Sequence, residues 1–505
     1  MMRCRAIHKP GWLLLTAAIL VAPVSGQWQT AGFDDSDMAA DLTEALTFQK
    51  YPTYPQYLEM MHYFARNYPE ICRLDTFGTS EEGRLLLALN ISDRADTDEP
   101  EPAFLYSAAI HGDELVGMVL LLRFAHTLLD GYGIDSEVDR VVNGLSIWIN
   151  PLSNPDGTYA SDEGLSMKGA QRMNINGVDL NRDFPQPGID AASDTSGRAR
   201  ETIAMMEFLT AHRFTLSANL HSGAEVVNYP WDHTHELHVD DDWYRFVSRE
   251  YADEARAVDP GYMALFSNGI TNGADWYRIF GGRQDYVNFF LEGREITLEL
   301  SEAMLLESDL LEEFWEKNHR SLLNYMSQCM YGIRGTVSDT ETDAPLEARI
   351  YIPGHDTTYS VVHSSGKHGD FYRPIREGAY DLVISSPGYL NDTIPGVEVT
   401  DFETTALQVK LQPDPKAGLD PTSGGPGLRI YPNPANERVF LEPADVEPGS
   451  LEVTIITLEG ITKLHQLLTF SGEPVSLNLE GLSPGYYLLR VVGSNQGITL
   501  PLIIQ

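Results

Sequence analysis

The pattern of apolar and polar positions divides the chain into one region of strands and helices and two regions of strands alone. Between residues 48 and 330, short apolar runs alternate with longer segments whose apolar residues recur at helical spacing. This alternation predicts an α/β domain in which helices enclose a mixed, twisted and largely parallel sheet. The predicted strands lie at 85–91, 104–110, 145–150, 216–220 and 295–300, and the predicted helices at 57–68, 115–129, 202–212, 242–257 and 309–329.

The helical periodicity stops after residue 331, where short apolar runs are separated by glycine, proline and aspartate. Such punctuation predicts two small all-β sandwich domains, at 331–412 and 428–505. A segment rich in proline and glycine, 413–427, indicates a linker between them. The predicted strands of these two domains include 333–337, 348–352, 380–384, 407–411, 452–457 and 486–492.

Residues 1–26 have the pattern of a secretory signal peptide. Three basic residues precede a mostly apolar stretch at 11–24, and small residues follow it. Because that stretch is short for a membrane-spanning helix, we expect an exported protein with no membrane span. Residues 27–47 are polar and acidic, which predicts a loose N-terminal arm.

The charge of the chain limits its partners. Its 505 residues include 73 acidic and 35 basic side chains, a formal net charge of −38. A chain of this charge repels nucleic acid and anionic membrane surfaces, so neither is expected as a partner. Removal of the signal peptide would leave Cys72 and Cys329, and the sequence leaves open whether these two form a disulfide.

A candidate metal site begins where the strand at 104–110 ends. His111 and Glu114 lie on the turn into the next helix, where an imidazole and a carboxylate three residues apart can converge on one metal ion. Taken alone, such a pair is more often a turn residue followed by an acidic helix start. His221 follows the strand at 216–220, at the carboxyl edge where open α/β sheets bind ligands. The three residues form a His₂Glu set for one Zn²⁺, with one coordination position left for water.

Further charged residues could complete a reaction centre. Glu299 alternates with Leu298 and Leu300 on a predicted strand, which places a carboxylate among apolar neighbours. Such a carboxylate serves either as a general base or as the ion-pair partner of a nearby arginine. Arg172 and Arg182 lie in one polar segment, and the planar guanidinium of arginine matches a carboxylate in two-point contact.

These residues lie in motifs that resemble the zinc metallocarboxypeptidase family, and more closely its carboxypeptidase N/E/D-type branch. The motifs follow the family's order and cover the predicted catalytic domain, 48–330, from end to end. They are HGDE at 111–114, NPDG at 154–157, RMNINGVDLNRDFP at 172–185, NLHSGAEVVNYPWD at 219–232, GADWYRIFGGRQD at 273–285 and ITLELS at 296–301.

The resemblance implies a role for each matched residue. It implies that His111, Glu114 and His221 bind one zinc ion. It also implies that Glu299 is the general base and acid for a zinc-activated water, and that Arg172 polarises the scissile carbonyl and stabilises the oxyanion. The roles implied in substrate binding are a grip on the terminal carboxylate by Asn181, Arg182 and Tyr277, and selection of a terminal Lys or Arg by Asp232 and Gln284.

Both β-rich domains also resemble known modules. Residues 331–412 are similar to the transthyretin-like module that follows the catalytic domain in this branch, through GDFY at 369–372. Residues 428–505 resemble a type IX secretion sorting domain, through IYPNP at 430–434. This second resemblance implies the type IX secretion machinery as a partner. It also implies a secreted or cell-surface location in a Gram-negative bacterium of the Bacteroidetes type.

The resulting hypothesis is a secreted zinc metallocarboxypeptidase that hydrolyses the last peptide bond of peptides or proteins and prefers a terminal Lys or Arg. Two alternatives stay open: a zinc amide hydrolase that acts on peptidoglycan stem peptides, and a non-catalytic binding protein on the same fold. The spacing of His233, His235 and His238 also allows a second metal site, although surface or substrate-rim histidines are the simpler interpretation.

Overall fold

A computed structural model describes residues 32–357 and 359–414, and in the C-terminal region residues 428–431, 433–435, 438–443, 449–457, 461–470, 474–492 and 497–504. The predicted signal peptide, the first residues of the predicted arm and most of the predicted linker lie outside the described residues. Among the residues that are described, no helix is long and apolar enough to cross a membrane.

The first domain is built on an eight-stranded sheet, and its strands are β1 (Cys72–Thr79), β2 (Leu85–Ile91), β3 (Ala103–Ala108), β4 (Ser146–Asn150), β5 (Leu216–His221), β6 (Ala224–Tyr229), β7 (Ile270–Asn272) and β8 (Arg294–Ser301). Their order across the sheet is β1-β2-β4-β3-β5-β8-β6-β7. The central strands β4, β3, β5 and β8 are parallel, and antiparallel pairing follows on both sides of them. The sheet is therefore mixed, which confirms the predicted fold class.

Helices cover this sheet, and the longer ones are α1 (Tyr54–Asn67), α2 (Val116–Gly131), α3 (Ser136–Val142), α4 (Arg200–His212), α5 (Asp241–Val258), α6 (Arg283–Phe290) and α7 (Leu311–Ser327). Alternate residues of β3 lie in different cores: Phe104 and Tyr106 pack in the larger core, and Leu105 packs in a smaller one with Phe208 of α4 and Tyr286 of α6. Because side chains alternate along a strand, this pattern means that the sheet is buried on both faces.

The prediction of a loose arm is wrong for the residues that the structure describes. Phe33, Met38 and Ala45 are buried in the larger core of the first domain. Asp34 and Asp41 accept backbone N–H groups at the starts of two short helical turns. Two of the acidic residues of this segment are thus helix caps, and the few apolar residues are enough to fix it to the domain.

Cys72 and Cys329 are both free, and both are buried in the larger core. The disulfide that the sequence left open is therefore not formed in this structure. Burial raises the pKa of the Cys72 thiol to about 12, so this thiol stays protonated and unreactive near neutral pH.

Two β domains follow, and each consists of two sheets around one core. The second domain pairs a sheet of order β11-β10-β13-β14 with one of order β12-β9-β15, from β9 (Gly332–Asp339), β10 (Arg349–Tyr351), β11 (Val362–His363), β12 (Asp370–Arg373), β13 (Gly378–Ser385), β14 (Asp392–Val399) and β15 (Thr404–Leu411). The third domain pairs a sheet of order β16-β17-β20 with one of order β19-β18-β21-β22, from β16 (Leu428–Tyr431), β17 (Arg438–Pro443), β18 (Gly449–Thr457), β19 (Thr462–Phe470), β20 (Val475–Asn478), β21 (Gly485–Val492) and β22 (Gly497–Ile504). The two predicted sandwich domains are confirmed.

Candidate functional site

The turn after β3 presents the first two candidate metal ligands. Ala109, directly after β3, has a φ of 55°, which turns the chain away from the sheet before His111. Gly112 is required by close packing, because a Cβ atom at this position would lie 2.4 Å from the carbonyl carbon of Gly157. The N–H of Gly112 donates to the carbonyl oxygen of Arg172 at 3.2 Å. The turn and the arginine segment are therefore joined directly.

His111, Glu114 and His221 converge on one point, as predicted. The Nδ1 atom of His111 lies 2.8 Å from Oε1 of Glu114, and Nδ1 of His221 lies 2.7 Å from Oε2 of the same carboxylate. The two Nδ1 atoms are 3.1 Å apart, and all three side chains are buried. Two imidazole nitrogens and a carboxylate fit the donor set of zinc, whose ligands lie about 2.0–2.2 Å from the ion and so about 3 Å from one another.

The charges of these side chains suit a metal ion. Burial lowers the pKa of His221 to about 4, so its imidazole is neutral near pH 7, as a metal ligand must be. Burial opposes ionisation of Glu114, but the two imidazoles beside it keep the pKa of its carboxyl below the usual value. At His111 burial is offset by the charge of Glu114, which raises the pKa, so a metal ion would displace a proton there.

Asp179, whose role was not predicted from the sequence, contacts His111 and Arg172. Its Oδ1 lies 3.1 Å from Nε2 of His111, and its Oδ2 accepts from Nε of Arg172 at 3.0 Å. A metal-binding histidine commonly donates its second ring N–H to a carboxylate, which fixes the tautomer and the orientation of the ring. His221 has a different neighbour, because Nδ2 of Asn219 lies 2.8 Å from its Nε2. Asp179 lies in a matched motif, but the motif alone does not show which ring it reaches.

We predict that Asp179→Asn lowers zinc affinity about 10–100-fold, because the charge that holds His111 and Arg172 is lost. Competition for zinc against a chelator of known affinity measures this change. The control is Asp194→Asn, at a carboxyl that pairs with Arg198, and it should bind zinc like the wild type. Unchanged zinc affinity in Asp179→Asn would contradict the orienting role of the carboxylate.

Glu299 lies next to the metal ligands. It is the register partner of His221 in the pairing of β5 with β8, and its side chain is only 8% exposed. Its Oε2 is buried without a hydrogen-bond partner, and no arginine in the described chain forms an ion pair with it. Burial, together with the charge of Glu114, raises the pKa of this carboxyl well above its usual value. The alternative interpretation, a structural ion pair, is therefore not supported.

Two arginines border the same space. Nη1 of Arg172 lies 3.2 Å from Oε1 of Glu114, so this guanidinium reaches the edge of the ligand cluster. Arg182 is partly exposed, and its Nη1 donates to the carbonyl oxygen of Asn181 at 2.8 Å. Within the described chain, Arg182 forms no ion pair with a carboxylate. A cation of this kind is free to bind an anionic group of a ligand.

Asn181 and Tyr277 lie near these arginines but differ in their contacts. Asn181 is buried, with its Oδ1 accepting from the backbone N–H of Arg283 at 2.9 Å. Tyr277 is half exposed, and its ring packs edge-on against Trp276. Burial raises the pKa of the Tyr277 hydroxyl, and the charge of Arg182 opposes this rise. Asn181 is already engaged in internal contacts, whereas Tyr277 keeps an exposed face.

Asp232 lies in a buried polar cluster with Asn228 and Gln284. Its Oδ1 accepts from Nδ2 of Asn228 at 3.1 Å and from Nε2 of Gln284 at 3.0 Å. Oδ1 of Asn228 and Oε1 of Gln284 are both buried without a hydrogen-bond partner. Gly273 leaves room beside them, because a Cβ atom there would lie 1.8 Å from Oδ1 of Asp232. The cluster thus contains oxygen acceptors that lack a donor, and the role of Asn228 was not predicted.

The other charged residue near this cluster, Arg283, forms its ion pair within the domain. Arg283 is fully buried, and its Nε and Nη2 donate to the carboxylate of Glu295 at 3.0 and 2.8 Å, so its charge is neutralised inside the domain. The alternative of a second metal site at His233, His235 and His238 is not supported, since none of these belongs to a group able to hold a metal within the described chain.

Comparison with known proteins identifies a family for each of the three domains. A family model described as zinc carboxypeptidase matches residues 57–321, one described as carboxypeptidase regulatory-like domain matches 332–412, and one described as secretion system C-terminal sorting domain matches 429–505. The chain therefore belongs to the zinc carboxypeptidase family. The predicted class, a metallocarboxypeptidase with a regulatory-like domain and a type IX sorting domain, is confirmed.

Relatives of known name support the same assignment. Carboxypeptidase D of Homo sapiens is 38% identical over 344 residues, which make up 65% of this chain but 24% of that protein. Carboxypeptidase M of Mus musculus is 35% identical over 392 residues, which cover 73% of this chain and 86% of that protein. The solved structure of thrombin activatable fibrinolysis inhibitor shares the fold, with a TM-score of 0.50 at 17% identity over 57% of this chain and 77% of that one. The chain thus spans about a quarter of the length of carboxypeptidase D.

Proposed function

We propose that this chain is an exported zinc carboxypeptidase that removes the last residue of peptides or proteins and prefers Lys or Arg at that position. The observation that carries this proposal is the unpaired carboxyl of Glu299 beside the converging side chains of His111, Glu114 and His221. A structural metal site would need no such group, whereas hydrolysis needs a base next to the metal.

The residues around the metal-ligand cluster have separate roles in the reaction. A zinc ion held by His111, Glu114 and His221 would supply Lewis acidity, acidifying a bound water and polarising the scissile carbonyl. Glu299 takes the proton from the attacking water on its free Oε2 and later donates it to the departing amine. Arg172, at the edge of the cluster, donates to the oxygen that becomes negative in the transition state.

Arg182 supplies selectivity for chain ends. Its guanidinium has no carboxylate partner within the described chain and lies at the same edge as Arg172 and Tyr277. A substrate with a free C-terminus brings the missing carboxylate, which a guanidinium binds in two-point contact. Peptide bonds inside a chain lack that group, so we expect cleavage at the last bond only.

The pocket at Asp232 favours a basic terminal side chain. The carboxyl of Asp232 and the unpartnered oxygens of Asn228 and Gln284 can all accept hydrogen bonds from an ammonium or guanidinium group. Buried acceptors without donors are costly, and a cationic side chain would satisfy several at once. A leucine or phenylalanine side chain would leave them unpaired, so it should be a poorer substrate.

We predict that KM for an Arg-terminal peptide falls as pH rises towards 8, while KM for a Leu-terminal peptide does not. Burial, aided by the charge of Asp285, raises the pKa of Asp232 to about 8, so below that pH a cationic substrate must displace a proton. Asp232→Asn should remove both the pH dependence and the preference for Arg. Parallel pH profiles for the two peptides in the wild type would contradict this assignment.

The sorting domain gives the proposed location. Residues 429–505 match a secretion system C-terminal sorting domain, which indicates a secreted or cell-surface protein of a Bacteroidetes-type bacterium. We propose that the type IX machinery reads this domain and that the tail is then removed or used for surface attachment. The catalytic domain would in either case act on peptides or proteins outside the cell.

The test is a panel of peptides that differ only in their last residue, incubated with the full chain in the presence and absence of zinc. We expect zinc-dependent release of Arg and Lys ahead of Leu and Phe. Release of Leu or Phe ahead of Arg would contradict only the pocket assignment. Cleavage of peptidoglycan stem peptides alone would favour the amide hydrolase, and no cleavage with zinc bound would favour a binding protein.

A further inference from the structure

The second domain reaches the wall of the terminal-residue pocket. Tyr359 lies in the loop between β10 and β11, and its ring packs edge-on against Trp231, with ring centroids 5.0 Å apart and planes at 90°. Trp231 directly precedes Asp232 in the chain, so this contact supports the backbone that carries the pocket carboxylate. His238 packs against the same two rings at 5.0 and 5.1 Å, which closes a small aromatic cluster.

Tyr359 also contacts the other element that forms the pocket. Its ring stacks on Phe289 at 5.9 Å, and Phe289 contacts Trp231 at 6.2 Å. Phe289 lies on α6, the helix that carries Gln284. Tyr359 is thus wedged between the segment of Asp232 and the helix of Gln284, the two groups whose side chains meet at 3.0 Å.

The loop that presents Tyr359 is held firmly against the first domain. Arg373 of the second domain donates to both oxygens of Asp240 at 2.8 and 2.9 Å, and to Oδ1 of Asp356 at 2.7 Å. Arg294 of β8 also donates to Asp240, at 2.8 Å, and to the carbonyl oxygen of Ser360 at 3.3 Å. Buried charges paired in this way fix one relative position, since any displacement would leave a charge without its partner.

This network also explains the second group of residues able to hold a metal. Asp240, His355 and Asp356 have ligand atoms close together, but both carboxylates are already paired with Arg373. Two arginines at Asp240 supply the positive charge that a metal ion would bring. The group is therefore a set of ion pairs that joins the two domains. Its position next to Tyr359 points to a role in fixing the positions of the pocket residues.

We propose that Tyr359 is a positioning residue for the specificity pocket, through which the second domain holds Asp232 and Gln284 at the spacing that a basic terminal side chain requires. This inference rests on the proposed function, because it assigns a determinant of the same pocket. Tyr359 does not contact the metal ligands. It therefore affects recognition of the terminal residue and not the rate of the chemical step. It also gives the second domain a part in selectivity.

The test compares Tyr359→Ala and Tyr359→Phe in the full, zinc-loaded chain. The Ala variant should raise KM for an Arg-terminal peptide about tenfold, the order of one lost hydrogen bond, with kcat nearly unchanged. Its kcat/KM for a Leu-terminal peptide and its zinc content should equal those of the wild type. The Phe variant keeps the ring contacts and should restore the wild-type KM.

A matched control separates this effect from general destabilisation. Tyr389 donates its hydroxyl to Asp339 inside the second domain, so Tyr389→Ala should lower Tm without changing the Arg-to-Leu preference. Tyr359→Leu replaces the Ala variant if the latter does not fold. An unchanged KM for the Arg peptide, or an equal loss on both peptides, would overturn the role of Tyr359.

Calorimetric measurement of free-arginine binding distinguishes a failure of the proposed function from a failure of the positioning role of Tyr359. If the wild type binds arginine but releases no terminal residue, the proposed function fails. Weaker arginine binding by Tyr359→Ala would still support the positioning role in that case. Equal arginine binding by both proteins would refute the positioning role alone.

Discussion

Glu299→Gln is expected to lower kcat by about 10³-fold while zinc remains bound. Glutamine has the shape of glutamate but cannot accept a proton from water or return one to the leaving amine. The carboxyl of Glu299 is buried with Oε2 unpaired, so the substitution removes the free oxygen that would accept the proton. KM should change little, because Glu299 acts mainly in the transition state.

Steady-state kinetics with an Arg-terminal peptide and metal analysis of the same sample measure this result. Glu225→Gln is the matched control: Glu225 lies on the adjacent strand β6 but pairs with Leu300, and its side chain therefore points to the other face of the sheet. The control should keep wild-type activity. Near-normal turnover in Glu299→Gln would remove Glu299 from the mechanism.

Arg182→Met should lower kcat/KM about 10²–10³-fold for peptides with a free C-terminus, the usual cost of removing one partner of a hydrogen-bonded charge pair. Methionine keeps the apolar stem of the side chain and removes only the charged fork. The loss should be much smaller for an amidated peptide, because that substrate has no terminal carboxylate to bind. The selectivity for free chain ends should therefore shrink together with the activity.

The comparison is made with free and amidated forms of one peptide. Arg66→Met, at an exposed arginine near the end of α1, is the control and should behave like the wild type. If Arg182→Met lost activity equally on both peptides, Arg182 would have a structural role and would not recognise the carboxylate.

The hydrophobic pattern of the chain predicted most of the fold of the first domain. Helix α2 is apolar over most of its length, and strand β5 has one apolar face, formed by Leu216, Ala218 and Leu220. Strand β1 was not predicted, because its sequence CRLDTFGT mixes charged and apolar residues, as an edge strand with partial exposure allows. The prediction of a loose N-terminal arm was wrong, because a segment whose aspartates cap helical turns has a composition similar to that of a disordered segment.

Some residues of the site were predicted from the sequence and others were not, and the difference has a physical reason. His111, Glu114 and His221 stand at strand ends, where the chain pattern itself places them on one edge of the sheet. Asn228 lies on β6, a strand that was not predicted. Asp179 acts through contacts that depend on loop conformation, which no spacing in the sequence encodes. The same holds for Tyr359, since its contact with Trp231 arises only when the two domains pack together.

The most direct test of exopeptidase activity uses one Arg-terminal peptide in two forms, with a free or an amidated C-terminus, and the full chain with zinc or with a chelator. We expect rapid release of Arg from the free form with zinc, little cleavage of the amidated form, and loss of activity when zinc is removed. Equal cleavage of both forms, or release that persists in the chelator, would contradict this expectation.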